Sequence, residues 1–191
     1  VEYDAAGPYI KAVSRSAGSW IERPLKGIDL ARHPILEWEW MVSSFPKVEW
    51  ERNKAEDDFA IRVELVFDYH GNALNPLYLI RKGLVTYFLR KNPPALVLSY
   101  VWAAEVPVDK EYQSPESVTT RVIPLESGIY TVRHWLGEHR DIAADVKRVM
   151  PGDRNLILKA IRIRSDADNS GTTAESGVKN IRIVIPPKDN D

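Results

Sequence analysis

Alternation of apolar and polar positions dominates this chain and is clearest over residues 58–67. There Phe59, Ile61, Val63, Leu65 and Phe67 share one side, and Asp58, Ala60, Arg62, Glu64 and Val66 the other. A period of two marks a half-buried β-strand. Residues 35–42 repeat the pattern, with Leu36, Trp38, Trp40 and Val42 opposite Glu37 and Glu39. Residues 95–103 are apolar on both sides and read as a central strand covered on both faces. Residues 118–125 and 129–135 read as a hairpin around Glu126-Ser127-Gly128, and 155–164 with 180–185 as a final strand pair closed by Pro186-Pro187.

Two stretches switch to helical spacing. Residues 141–150 place Ile142, Val146 and Val149 on one side, and Pro151-Gly152 ends the segment. Residues 75–90, within a helical insertion at 75–91, carry Leu77, Ile80, Leu84 and Phe88 as a stripe after Pro76. Basic pairs at Arg81-Lys82 and Arg90-Lys91 make this insertion either a cap on one end of the fold or a surface for assembly or membrane contact.

Thirteen prolines and ten glycines punctuate the chain at short intervals. The pattern predicts a mainly β protein, a jelly-roll-type β-sandwich with two short helices, forming one domain over residues 1–191 with a flexible tail at 186–191. Hydrophobic residues make up 44% of the chain, enough for a sizeable core. The formal charge of −1 lacks the basic excess of a backbone-tracking nucleic-acid binder, so no nucleic-acid partner is expected. The absence of cysteine removes disulfides, thiolate nucleophiles and thiolate zinc sites. The longest uncharged apolar stretch, 93–104, is shorter than the ~18–20 residues of a membrane-spanning helix. A first residue of Val1 rather than Met leads us to expect either an exported protein, periplasmic or extracellular, or a trimmed chain.

No catalytic constellation stands out. Asp57 and Asp58 are adjacent, so within a strand they point to opposite faces. Asp58 and Glu64 share a face but lie roughly 20 Å apart along a strand. A glycosidase needs its carboxylates roughly 5–5.5 Å apart for retention or roughly 6.5–9.5 Å for inversion. His134 and His139 have a spacing that suits joint ligation on neither strand nor helix, and no nucleophile elbow, phosphate loop or dinucleotide fingerprint is present.

A binding surface is better supported. Asp58, Arg62 and Glu64 occupy the polar side of one strand, and Arg162, Arg164 and Arg182 the polar side of the last pair, with Glu37 and Glu39 joining from the tryptophan strand. Alternating acids and arginines can hold hydroxyls or an anionic sugar through charge-assisted bonds, or form a solvated cross-strand ladder. Trp102, closing the central strand, is placed either in the core or at the mouth of a cleft; Trp38 and Trp40 belong to the core. The candidate ligand residues are therefore Asp58, Arg62, Glu64, Trp102, Arg162 and Arg164.

The stretch 166–172 runs Asp166-Ala167-Asp168-Asn169-Ser170-Gly171-Thr172. This order places oxygen ligands of a calcium loop at Asp166, Asp168, Ser170 and the Thr172 carbonyl, with glycine for the sharp turn. Position twelve is Gly177 instead of a bidentate glutamate, and Glu175 comes two residues early. The expectation is a weak calcium site or a polar turn.

Several stretches together resemble a bacterial family known as domain of unknown function 3047: 34–40, 54–63, 99–102, Trp135 with 138–142 and Asp145, and 163–171. The Asp-Asp-Phe-Ala-x-Arg-Val and Asp-x-Asp-Asn-Ser pieces are its most specific parts, and the resemblance runs from about residue 34 to the C-terminus. It implies a sandwich similar to galactose-binding-like and carbohydrate-binding modules, transfers no catalytic residue, and leaves the stretch 68–94 longer than the family's usual connection. The expected function is a non-catalytic module binding carbohydrate or another polar glycan. The alternatives are a polysaccharide hydrolase or lyase and a structural subunit assembled through the insertion.

Overall fold

The computed structural model describes residues 2–4, 7–32, 34–69, 94–108, 110–152 and 155–186. The strands in chain order are β1 (Glu2–Asp4), β2 (Gly7–Arg15), β3 (Gly18–Asp29), β4 (Ile35–Ser44), β5 (Arg62–Tyr69), β6 (Leu96–Ala103), β7 (Tyr112–Gln113), β8 (Thr120–Ser127), β9 (Leu136–Asp141), β10 (Leu156–Asp166) and β11 (Thr173–Val184). One helix, α1 (Ile142–Val149), follows β9. Two sheets form a β-sandwich, one in the order β1-β2-β11-β4-β9 and the other β3-β10-β5-β6-β8-β7. Among the described residues, all pairings are antiparallel except β6 with β8.

The two sheets close on the apolar sides of their strands. Leu36, Trp38, Trp40 and Val42 of β4 meet Val63, Leu65 and Phe67 of β5 and Leu98, Tyr100 and Trp102 of β6 in one buried cluster. The aromatic rings stagger: Trp38 meets Trp40 edge-on at 5.3 Å between centroids, and Trp40 lies 6.0 Å from Trp102, within the range favoured for offset aromatic pairs. Burying each such ring contributes on the order of 2–3 kcal/mol. The expectation that β6 is covered on both faces holds, because every residue of the strand is buried. Its second side, Val101 and Ala103, packs with Phe59, Val106 and Val122 under the loops before β5 and after β6.

The helix after β9 matches its pattern. Asp141 caps it by accepting the Ala144 amide at 3.0 Å. The carboxylate of Asp145 binds it to the sandwich, accepting from the Tyr100 hydroxyl at 2.8 Å and from Arg140 at 2.7 and 3.0 Å. The insertion at 75–91, with its apolar stripe, lies outside the described residues.

Three local expectations are corrected. Residues 58–61 precede the strand: Asp58 holds the Asn169 and Ser170 amides of the following loop, and Phe59 meets only the end of β10, at Asp166. Residues 129–135 form turns that carry the chain from β8 in one sheet to β9 in the other, so no hairpin forms there. The last two strands also separate, β10 into the six-stranded sheet and β11 into the five-stranded one. Strand periodicity fixes which side is apolar, but the loop between two strands decides which sheet each joins.

Candidate functional site

The polar side of β5 and β10 forms the outer face of the six-stranded sheet. Arg62 pairs with Arg164 in register and Glu64 with Arg162, so all four point the same way. Asp166 follows at the end of β10, and Trp20 and Glu22 of β3 stand beside Arg164 and Arg162. The face is two chemically distinct halves, one buried and one open.

The buried half centres on Arg62, whose side chain is only 1% exposed. Its guanidinium donates to Asp166 Oδ2 at 2.9 Å and Oδ1 at 3.3 Å, to Asp57 Oδ1 at 3.3 Å, and to the Asp57 carbonyl at 2.5 Å. It also stacks over the Phe59 ring at 4.4 Å. Burial works against the Arg62 charge, but Asp166 and Asp57 beside it outweigh that and hold the guanidinium firmly protonated. Arg164 supplies a second cation to Asp166 at 2.6 Å and reaches Glu116 at 3.7 Å. Asp57 is pushed up to about 6, mainly by burial; Arg62 and Arg164 pull against this, and Asp166 and Glu116 add to it.

Asp58 serves a different purpose. Its two oxygens accept the backbone amides of Asn169 at 3.2 Å and Ser170 at 2.6 Å, fastening the 166–172 loop to the chain before β5. Adjacent carboxylates thus face opposite partners, Asp57 towards Arg62 and Asp58 towards the loop.

Of the expected calcium ligands, Asp166 and Asp168 come together, and the Thr172 carbonyl accepts the Ser16 amide at 2.8 Å. Ser170 and Thr172 hydroxyls bond each other at 2.8 Å, and Thr172 Oγ1 also accepts the Lys47 amide. Asp58 joins the two aspartates, and carboxylate oxygens of Asp58, Asp166 and Asp168 lie within 4.8 Å of one another. Gly18 faces this group: a Cβ there would stand 2.9 Å from Asp168 Oδ1. These three carboxylates are the residues that could hold a cation, although Asp166 is already engaged by two arginines and the Phe59 amide. The loop links the two sheets rather than closing a hairpin.

The open half is Trp20, Glu22, Arg162, Arg164 and Glu116. Arg162 donates to Glu22 at 2.7 and 3.1 Å and to Glu64 at 3.3 Å, and its guanidinium lies 5.4 Å from the Trp20 ring. Trp20 itself is 60% exposed. Glu64 is buried and takes a long bond from Ser99 on its other oxygen. Of the expected ligand residues, then, Arg62, Glu64, Arg162 and Arg164 share one face, and Asp58 lies below it. Trp102 does not belong there: it is fully buried on the core side, its indole N–H donating to the Gly128 carbonyl at 3.3 Å. Glu37, Glu39 and Arg182 lie on the other sheet, where Arg182 pairs with Glu37 and Asn180 with Glu39.

Sequence reasoning missed Trp20, Glu22 and Glu116, and weighed Asp57 only as a catalytic neighbour of Asp58. Alternation over Trp20-Ile21-Glu22-Arg23 was a readable signal, but Pro24 and Gly27 interrupt it within the same strand. Asp57 and Glu116 come from loops, where no periodicity announces which way a side chain points.

The geometry defines a β-sandwich whose charged sheet face is half internal network and half open surface. The chain belongs to the family described as "Protein of unknown function (DUF3047)", whose model matches residues 1–182 and so takes in β1 to β3, ahead of the motifs noted above. No curated protein matches the sequence. Among solved structures, a native family 12 xyloglucanase from Bacillus licheniformis is similar at TM-score 0.48 and 6% identity, over 89% of this chain and 75% of that one.

Proposed function

We propose that this protein is a non-catalytic module that binds a polar glycan on the outer face of its six-stranded sheet. The observation that carries this reading is Trp20, an indole ring 60% exposed beside a ladder of paired arginines and carboxylates. The apolar C–H face of a sugar ring stacks on such an indole, while its hydroxyls exchange bonds with Arg162, Glu22, Arg164 and Glu116. The buried Asp57–Arg62–Asp166 network supports the reading by holding Arg164 in place through Asp166. A surface whose supporting side chains are locked loses little freedom on binding.

Catalysis would need a titrating acid that substrate can reach. Asp57, at about 6, has the right acidity for a general acid. It is buried, however, with one oxygen on Arg62 and the other on Ser114. A glycan array with neutral and acidic polysaccharides tests the proposal. Retention without released reducing ends is expected, together with its loss in Trp20→Ala at unchanged melting temperature. Release of sugar would establish an enzyme, and retention unaffected by Trp20→Ala would remove this face from consideration.

A further inference from the structure

Along the same edge strand β3, on the side facing away from Trp20, the two sheets part. A cleft of about 780 Å³ opens between β2 and β11 on one side and β3 and β10 on the other. Its walls are aliphatic, with Ile10, Ile21, Ile28, Ile161, Ile181 and Ile183 among them. Irregularities adjoin it on both sheets: β10 shifts register between Leu158 and Ala160, and β11 between Lys179 and Arg182, where Asn180 adopts φ +55°. Bulges bend and twist a strand away from its straight path, and here they accompany an opening lined by residues that would otherwise fill a core.

Four charged residues line the cleft, of which Glu22 pairs with Arg162, Lys179 with Glu39 and Arg182 with Glu37, leaving Arg23. Ile21 and Arg23 share the side of β3 opposite Trp20 and Glu22; Glu22 also borders the cleft, but its carboxylate is held by Arg162 on the charged face. Arg23 is exposed and, among the described residues, has no carboxylate within ion-pair distance. An unpaired cation at the entrance of an aliphatic cleft matches an amphiphile with an anionic head. The volume lies within the roughly 300–1,000 Å³ usual for small-molecule sites. The cleft follows β3 from Ile21 to Ile28, about 20 Å of strand, which suits an extended chain better than a compact ring.

We propose that this cleft binds the aliphatic tail of a long-chain carboxylate, with Arg23 holding the carboxylate at the mouth. The cleft shares Glu22 at its border with the glycan face but opens on the other side of β3, and the proposal does not depend on glycan binding. Calorimetric titration with octanoate, decanoate and dodecanoate, each below its micelle concentration, tests the proposal. Each added methylene should tighten binding roughly four-fold, as expected when its surface leaves water. Arg23→Glu should weaken dodecanoate by about ten-fold or more and leave dodecanol unchanged, whereas Ile21→Asp should weaken both. Both positions are exposed, so the variants should melt with the wild type; Trp20→Ala should not alter dodecanoate binding. Absence of saturable binding, affinity independent of chain length, or indifference to Arg23→Glu would overturn the assignment. A dimer split by Ile21→Asp and unaffected by dodecanoate would instead make the cleft a seam between two copies.

Discussion

Replacing Arg62 with methionine tests the central network most directly. Methionine keeps an unbranched apolar stem against Phe59 but removes four hydrogen bonds to Asp57 and Asp166. Asp166 retains Arg164 and the Phe59 amide, so it stays partly compensated. Asp57 keeps only Ser114 and becomes a buried carboxylate without its nearest cation. Breaking a buried pair from one side typically costs about 3–5 kcal/mol. In a protein of this size each kcal/mol lowers the melting temperature by ~2–4 °C, so a fall of roughly 6–20 °C is expected. Urea unfolding followed by fluorescence of the buried tryptophans gives the free energy. The double variant Asp57→Asn with Arg62→Met should recover part of the loss, since the stranded charge is gone. A loss below about 1 kcal/mol, or strict additivity in the double variant, would refute the network as a stabilising unit.

Two further outcomes follow from the same region. Asp57, at about 6 in the folded protein against 3.8 ordinarily, makes the folded state bind the extra proton between those values. Its contribution to stability is therefore complete below about pH 3.8 and lost as pH rises through about 6, at most ~3 kcal/mol. The stability of Asp57→Asn relative to wild type should accordingly grow between pH 4 and pH 7; a flat difference in paired urea titrations would contradict the shift. Calcium added to metal-stripped protein reads the Asp58–Asp166–Asp168 group: with two guanidinium groups already on Asp166, binding no tighter than about millimolar is expected. A micromolar constant abolished by Asp168→Asn would show that the carboxylates are free to ligate.

What the sequence alone determined about this protein was the content of its faces. Alternation over β4 and β5 separates Trp38, Trp40, Val63 and Leu65 from Glu37, Glu39, Arg62 and Glu64, and helical spacing ended by Pro151-Gly152 announces α1. These are local properties, set by the two-residue and 3.6-residue periods of the backbone. Only the tertiary structure decided which faces meet. Arg62 and Asp166 lie far apart in the chain, and β5–β10 pairing brings them together, so a side chain with the pattern of a solvated arginine becomes fully buried. The same pairing placed Arg162 beside Glu64 and Arg164 beside Asp166 and left Arg182 on the other sheet, although all three arginines carry the same local signal. The apolar cleft has no sequence signature either: its isoleucines alternate like any core-facing residues, and only the parting of the two sheets leaves them partly uncovered.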